Sequence, residues 1–366
     1  MRSLFYRGRS FFMSATVSTP SSAVSTTSMM NLKHIVLTNT NLSGFEYGVL
    51  RDFENEIVRI TGGHKVVMPK RKFPRFIDKR IGHGTRYGKL REFIPRVEHN
   101  LEADVLWVIL MGPENFLLDL FKNWDQNVGV KILYIFDTFE RQLPSIRRVL
   151  ASTNWDLAIT SFHGAVPFLE EKTQRKWHAV AQGVKLDRFQ PVTKEEKLIS
   201  FSAYGRRLEK VHHSVKEYCL QTGNYYEYTT ATSMQPQLDS QDVYRQYAWH
   251  LAHSFFTFSW PVELTNPKRV LTFSPMTCRW FEAAASGTVI LGQPPKDPIF
   301  EKIFGSDFVI PIDHTISQDD LKTIWDNLWE NRYSYFQSAL IAREKLIPQL
   351  SWESRVKEIL KLINLS

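Results

Sequence analysis

Short, nearly continuous apolar runs alternate along this chain with longer stretches in which apolar residues recur every three or four positions. HIVLTNT (34–40), HKVVMP (64–69), ADVLWVIL (103–110), VKILYIFD (130–137) and WDLAITSF (155–162) are the apolar runs of the first half. Runs of this length, bounded by turn residues, predict strands buried on both faces. After the turn NLSG, the stretch FEYGVLRDFENEIVRI carries its apolar residues at helical spacing. Strands alternating with helices predict a parallel sheet with right-handed crossovers, an open α/β domain. Ligands of such sheets bind beyond the carboxyl ends of the strands. Those ends carry Ser43 and Gly44, Asp137 and Thr138, and Ser161 and His163. An Asp at a strand end also reads as a helix cap and a lone His as satisfied structure, and both readings stay open.

KWHAVAQGVKLDRFQP (176–191) is by composition an ordinary linker, a short strand followed by Gly, a basic and apolar loop, and Pro. Its Gly183, Val184, Phe189 and Pro191 resemble the segment that leaves the first domain of two-domain nucleotide-sugar glycosyltransferases. The rhythm then restarts, as two similar α/β domains facing each other require. KLISFSAYGRR (197–207) predicts a strand ending at Gly205, and Leu208, Val211, Val215 and Tyr218 predict the helix that follows. The intervening loop presents Arg206, Arg207 and Lys210 beside a helix N-terminus, a favourable arrangement for a diphosphate. A basic helix start facing solvent is the alternative, but unpaired cations are disfavoured at a helix N-terminus. In the resembled family, a strand–Gly–Arg turn with a nearby Lys binds the diphosphate.

SQDVYRQYAWHLAHSFFTFSWP reads as a helix running into a strand. His250 and His253 lie on that helix with no third ligand near them in sequence, so they read as structural and no metal site is expected. The chain also has no Asp-x-Asp triplet to bridge a metal to a diphosphate.

The densest motif is MTCRWFEAAASGTVILG (276–292). Thr277 is the expected cap, CRWFEAAAS a helix of about two turns, Gly287 its stop and TVILG the next strand. The small residues Ala283 to Ser286 allow the helix to approach the sheet closely, and its N-terminus favours a phosphate. Glu282 stands one turn in, where a carboxylate can accept two hydrogen bonds from a ribose diol. Arg279, on the same face, can reach a phosphate or lock Glu282. A close-packed helix with a surface salt bridge is the structural alternative. The block resembles the donor-site signature of retaining two-lobed glycosyltransferases, most of all their branch related to spore-maturation glycosyltransferases. That resemblance implies Glu282 as the ribose carboxylate, with Arg279 and the amides near Met276 and Thr277 on the phosphates. A further glutamate of the family, which holds the sugar ring, falls here on Ser274. Farther on, Ser317 with Asp320 resembles a capping box, and SWESRVKEILKLI (351–363) places Trp352, Val356, Ile359, Leu360 and Ile363 on one helix face, like the family's last helix, which braces the first domain.

Composition adds constraints. The 366 residues suit two domains, and 43% hydrophobic with 13% aromatic residues is enough to bury real cores. No apolar run reaches the ~18 residues of a membrane span. Cys219 and Cys278 cannot make a disulfide framework, so free thiols in a reducing compartment are expected. The first 30 residues hold three arginines, many serines and threonines and no acid, resembling a transit peptide or a mis-called start before Met29 or Met30. Residues 64–96 carry five lysines and six arginines against Asp78 and Glu92, a local charge of +9. This island reads as a solvated loop or as a contact for an anionic membrane or acceptor, with nucleic acid behind them.

Together these readings predict an α/β fold of two Rossmann-like domains facing a cleft, with a leader at 1–30, an acceptor domain at 31–191, a donor domain at 192–347 and a crossing-back helix at 348–366. The resemblance implies a metal-independent, retaining transfer of a hexose from a nucleotide diphosphate sugar to a glycan or lipid-linked acceptor, as in polysaccharide biosynthesis. The nucleotide sugar would be a co-substrate, with no other cofactor. Arg206, Lys210 and Arg279 would stabilise the leaving diphosphate, with Gly205, Arg207 and Gly44 around it, and Asp137 or His163 near the anomeric carbon. A cytoplasmic location is expected, or an organelle interior if the leader is a transit peptide. The rivals are a polyanion-binding protein using residues 64–96 and a catalytically degenerate scaffold of the same fold.

Overall fold

The computed structural model describes residues 32–38, 46–67, 97–98, 100–118, 121–229, 240–266, 272–305 and 308–363. The leader, Gly44 and nearly all of the basic island lie outside them.

The first lobe is built on β1 (His34–Thr38), α1 (Glu46–Thr61), β2 (His64–Val67), β3 (Glu102–Leu110), β4 (Asn127–Ile135), α2 (Leu143–Leu150), β5 (Leu157–Thr160), α3 (Val166–Thr173) and β6 (His178–Ala179). Its strands form one parallel sheet in the order β2-β1-β3-β4-β5-β6. The apolar runs make strands because both faces are covered: all of β1 and Val105 to Leu110 of β3 are buried. The strand expected in KWHAVAQGV shrinks to two residues at the sheet edge, where only one neighbour pairs with it. The chain leaves β1 toward one side and returns through β3 on the other, which opens a crevice at the carboxyl ends of these strands.

The second lobe repeats the plan with β7 (Ile199–Ala203), α4 (Glu209–Thr222), β8 (Tyr226–Tyr228), α5 (Ser240–Ala252), β9 (Ser254–Ser259), α6 (Cys278–Ala285), β10 (Val289–Gly292) and β11 (Val309–Pro311). The sheet is again parallel, ordered β8-β7-β9-β10-β11. Helices α7 (Gln318–Glu330), α8 (Arg332–Leu350) and α9 (Trp352–Ile363) follow. The Ser317 hydroxyl accepts the Asp320 amide at 3.1 Å and starts α7, whose Trp325 seals the core by donating its indole N–H to Ser214 at 2.9 Å. The chain is thus a pair of Rossmann-like α/β domains.

The lobes meet along α1 and α5. Gly48 lies so close to Tyr244 that any Cβ at that position would collide with the ring. Arg188, in the segment between the lobes, grips buried Asp52 with two bonds of 2.8 Å, and Gln241 donates to the Gly48 carbonyl at 3.1 Å. Helix α9 returns to the first lobe, where Trp352 stacks on Phe53 at 4.3 Å and Arg355 donates to the Gln182 carbonyl. Trp352, Val356, Ile359 and Leu360 are buried, while Ile363 is only partly covered. Among the described residues no helix is long and apolar enough to cross a membrane.

Candidate functional site

Strand ends from both lobes converge on the N-terminus of α6. In the first lobe, Asp137 follows β4, and its amide donates to the Met111 carbonyl at 2.8 Å. Burial first, then Glu282, and in smaller part the charge of Asp137 push up the thiol of Cys278, the first residue of α6. His163 follows β5 on a turn fixed from below: the Ser161 hydroxyl donates to the Phe136 carbonyl at 2.6 Å and accepts from Gln182 at 3.0 Å. Burial, then the charges of Arg355 and Lys302, push the His163 imidazole down to about 4, so the ring is neutral near pH 7. Its Nδ1 has no hydrogen-bond partner among the described residues.

The next residue, Gly164, abuts the second lobe, since a Cβ there would lie 2.8 Å from Cβ of Phe273. Phe273 in turn packs on Phe162 at 6.0 Å, and the Thr272 amide and hydroxyl both donate to Glu140 at 2.6 Å. The buried Asp297 carboxylate accepts the Ile299 amide at 3.0 Å through Oδ1; burial raises its carboxyl, and the Ile299 amide with the neighbouring amides of Met276 and Gly164 counters that rise. Asp297 thus stands where the loop before α6 meets the turn at Gly164 of the first lobe.

In the second lobe, Gly205 ends the strand–loop unit with φ +75°, a backbone that favours glycine. The Arg279 guanidinium lies against it, and a Cβ on Gly205 would occupy the same space. This contact brings together two residues that the sequence singled out from motifs more than seventy positions apart. Arg279 forms no hydrogen bond or ion pair among the described residues, and its field acts on Glu282 and Cys278. Arg206 sits partly buried in the same loop. The other two cations are engaged elsewhere. Arg207 bonds Glu209 at 3.2 Å and the Thr229 carbonyl at 3.3 Å, and Lys210 donates to the carbonyls of Thr315 and Ile316.

Helix α6 runs from Cys278 to Ala285, stopped by Gly287 at φ +61°. Thr277 occupies the cap position with extended backbone, φ −97° and ψ 167°, but its side chain makes no capping hydrogen bond. The expected cap is thus one of backbone shape alone, which leaves the first amides of the helix to other acceptors. Ser274 is buried, and its hydroxyl has no partner among the described residues.

Glu282 differs from its expected setting. It is fully buried, and its Oε1 and Oε2 accept the hydroxyls of Tyr244 at 2.5 Å and Tyr247 at 2.9 Å. Burial raises its carboxyl above the ordinary value, against the lowering pull of the two tyrosines, Arg279 and Cys278. Fully buried beneath the two tyrosines, the carboxylate has no open path to a ribose in this state. The Tyr247 ring also meets Tyr204 edge-on at 4.9 Å, and Tyr204 directly precedes Gly205. Sequence reasoning missed Tyr204, Tyr244, Tyr247 and Asp297. The one available signal was the three-residue spacing of Tyr244 and Tyr247 on a predicted helix, which puts both hydroxyls on one face.

No protein-family model matches the chain, and no curated protein matches it in sequence. Solved structures do match. Anabaena HepE in complex with UDP-glucose is 9% identical with a TM-score of 0.54, covering 92% of this chain and 100% of that one. The same protein with UDP gives 9% identity and a TM-score of 0.52, over 91% and 100% of the two chains. A glycosyltransferase from Rickettsia africae ESF-5 is 11% identical with a TM-score of 0.49, over 91% and 98%. At such identities the likeness to HepE shows the fold alone, the two-domain GT-B architecture.

Proposed function

We propose that the chain transfers a sugar from a nucleotide diphosphate sugar to a glycan or lipid-linked acceptor, with retention and without a metal bridge. The observation that carries this reading is the Arg279 guanidinium, held against the bare backbone of Gly205 at the mouth of α6 with no partner of its own among the described residues. A fixed cation beside uncapped helix amides is preorganised for the charge that grows on a departing diphosphate. Arg206 stands in the same loop and assists. On this reading Asp137 and His163, just after β4 and β5, serve the anomeric carbon from the first lobe, a role supported for Asp137 by its charge acting on Cys278 at the start of α6. A neutral His163 can accept or share a proton there. Arg207 and Lys210 shape the loop through their bonds to Glu209, Thr229, Thr315 and Ile316. The domain limits we assign are 31–191 for the acceptor side and 192–347 for the donor side, with 348–366 crossing back.

The setting of Glu282 favours one second reading, a scaffold of the same fold that binds nucleotide without turnover. Both oxygens of its carboxylate are occupied, and Ser274 stands where the resembled family has its sugar-binding glutamate. One experiment separates the two. Thermal unfolding of the full chain is followed with UDP, GDP, ADP and dTDP, uridine first because HepE is seen with UDP-glucose. A nucleotide at ~100 times its dissociation constant adds about 2.7 kcal/mol. A shift that disappears in Arg279→Ala, together with release of that nucleotide from its sugar conjugate, supports transfer. A shift without release supports the scaffold, and no shift with any nucleotide sinks both.

A further inference from the structure

Where the segment 185–192 passes α5, on a surface that shares no lining residue with the candidate donor site, a groove encloses about 620 Å³. That lies within the range of small-molecule pockets, roughly 300 to 1,000 Å³. One wall is Trp249, an indole left 48% exposed. The ring does not swing freely: it stacks on His253 at 4.0 Å with 23° between planes, and His250 meets it edge-on at 5.2 Å. The result is an aromatic plate in a fixed orientation.

The rim is polar, yet its charges cancel pairwise. Lys185 pairs with Asp187 at 3.4 Å, Arg188 with Asp52 at 2.8 Å and Arg245 with Asp242 at 2.8 Å. Each lining cation already has its anion, so a phosphate or sulfate would find no uncompensated charge to bind. An apolar tail or apolar peptide would strip water from these rim groups without replacing its hydrogen bonds. The exposed ends of Arg245 and Asp187, 66% and 72% open, still offer donors and acceptors at the edge of the plate. A pyranose ring matches this pattern, with one apolar C–H face for the indole and a belt of neutral hydroxyls for the rim.

We propose that this groove is a binding subsite for neutral glycan, in which one sugar ring stacks on Trp249 and neighbouring hydroxyls bond Arg245 and Asp187. It is independent of the donor-site assignment. The test uses the full chain in saturation-transfer NMR with maltohexaose, cellohexaose and chitohexaose, and a heparin hexasaccharide as the anionic control. The expected result is binding of at least one neutral hexasaccharide, weakened roughly tenfold or more in Trp249→Ala, a loss of about 1.4 kcal/mol, and kept in Arg279→Ala and in Trp249→Phe. Because the indole is half exposed, Trp249→Ala should melt near the parent temperature, and that melt is recorded alongside. No binding of any neutral hexasaccharide, equal binding by Trp249→Ala, or binding of the heparin fragment alone overturns the proposal.

Discussion

The Tyr244 hydroxyl donates to Glu282 across 2.5 Å, joining the helix that faces the first lobe to the helix whose N-terminus forms the candidate site. Tyr244 also presses on the backbone of Gly48, so one side chain couples the lobe junction to the carboxylate. Replacing Glu282 by Ala leaves the Tyr244 and Tyr247 hydroxyls buried without their acceptor, at about 1–3 kcal/mol each. The acid also sets a pH dependence. Its carboxyl is raised in the folded state, so folding holds extra protons above the unfolded value, and the stability linked to them is lost as pH rises through the folded value. The difference in urea midpoint between the parent and Glu282→Gln isolates this acid from groups such as His163 and Lys197 that titrate in the opposite sense, and it should move against the parent as pH rises from 4.

Gly205→Ala tests the seat of Arg279. The backbone at φ +75° charges a side chain about 1–2 kcal/mol, and the new methyl group expels the guanidinium. Melting temperature should drop modestly, while stabilisation by the nucleotide that binds the parent should vanish. Nucleotide stabilisation that survives in this variant would remove Arg279 from the phosphate site.

Arg188 and Asp52 form the most buried ion pair at the junction, with side chains 11% and 1% exposed. Burial raises the Asp52 carboxyl, and the hydrogen bonds and charge of Arg188 counter it. Arg188→Ala strands that carboxyl, and a loss of ~3–5 kcal/mol is expected from denaturant unfolding. Asp52→Asn in the same background should recover part of it.

Lys197 gives a pH dependence of its own. Burial lowers its ammonium to about 7, with one hydrogen bond of 2.7 Å to the Ser254 carbonyl and the Phe336 ring at 4.7 Å. Between that value and 10.5 the unfolded chain binds more protons than the folded one, so stability rises with pH across the window. Chemical denaturation at pH 6.5 and 9 should show this rise in the parent and lack it in Lys197→Met.

Much of the fold was legible because parallel strands covered on both faces are mainly apolar, as VKILYIFD and KLISFSAYG are. Helix α6 was legible for a different reason: Thr277, the alanines and Gly287 are local signals. Side-chain partners were not. Tyr244 lies 38 residues and Tyr247 35 residues from Glu282, and nothing local says that two hydroxyls will claim both oxygens of that acid. The partners of Lys210 were hidden for the same reason, its ammonium bonding carbonyls 105 and 106 residues away. Pairing of Gly205 with Arg279 was half legible: each motif announced a phosphate, but only the folded chain brings the loop after β7 against the Arg279 side chain.

Helix α9 also sets an order of assembly. Glu353 reaches Arg59 across 294 residues, and Trp352 covers Phe53 in the first lobe. During synthesis the first lobe therefore waits, with that aromatic face bare, until the whole second lobe has been made. At about 5–20 residues per second the wait is on the order of tens of seconds, long enough for a chaperone to hold that face.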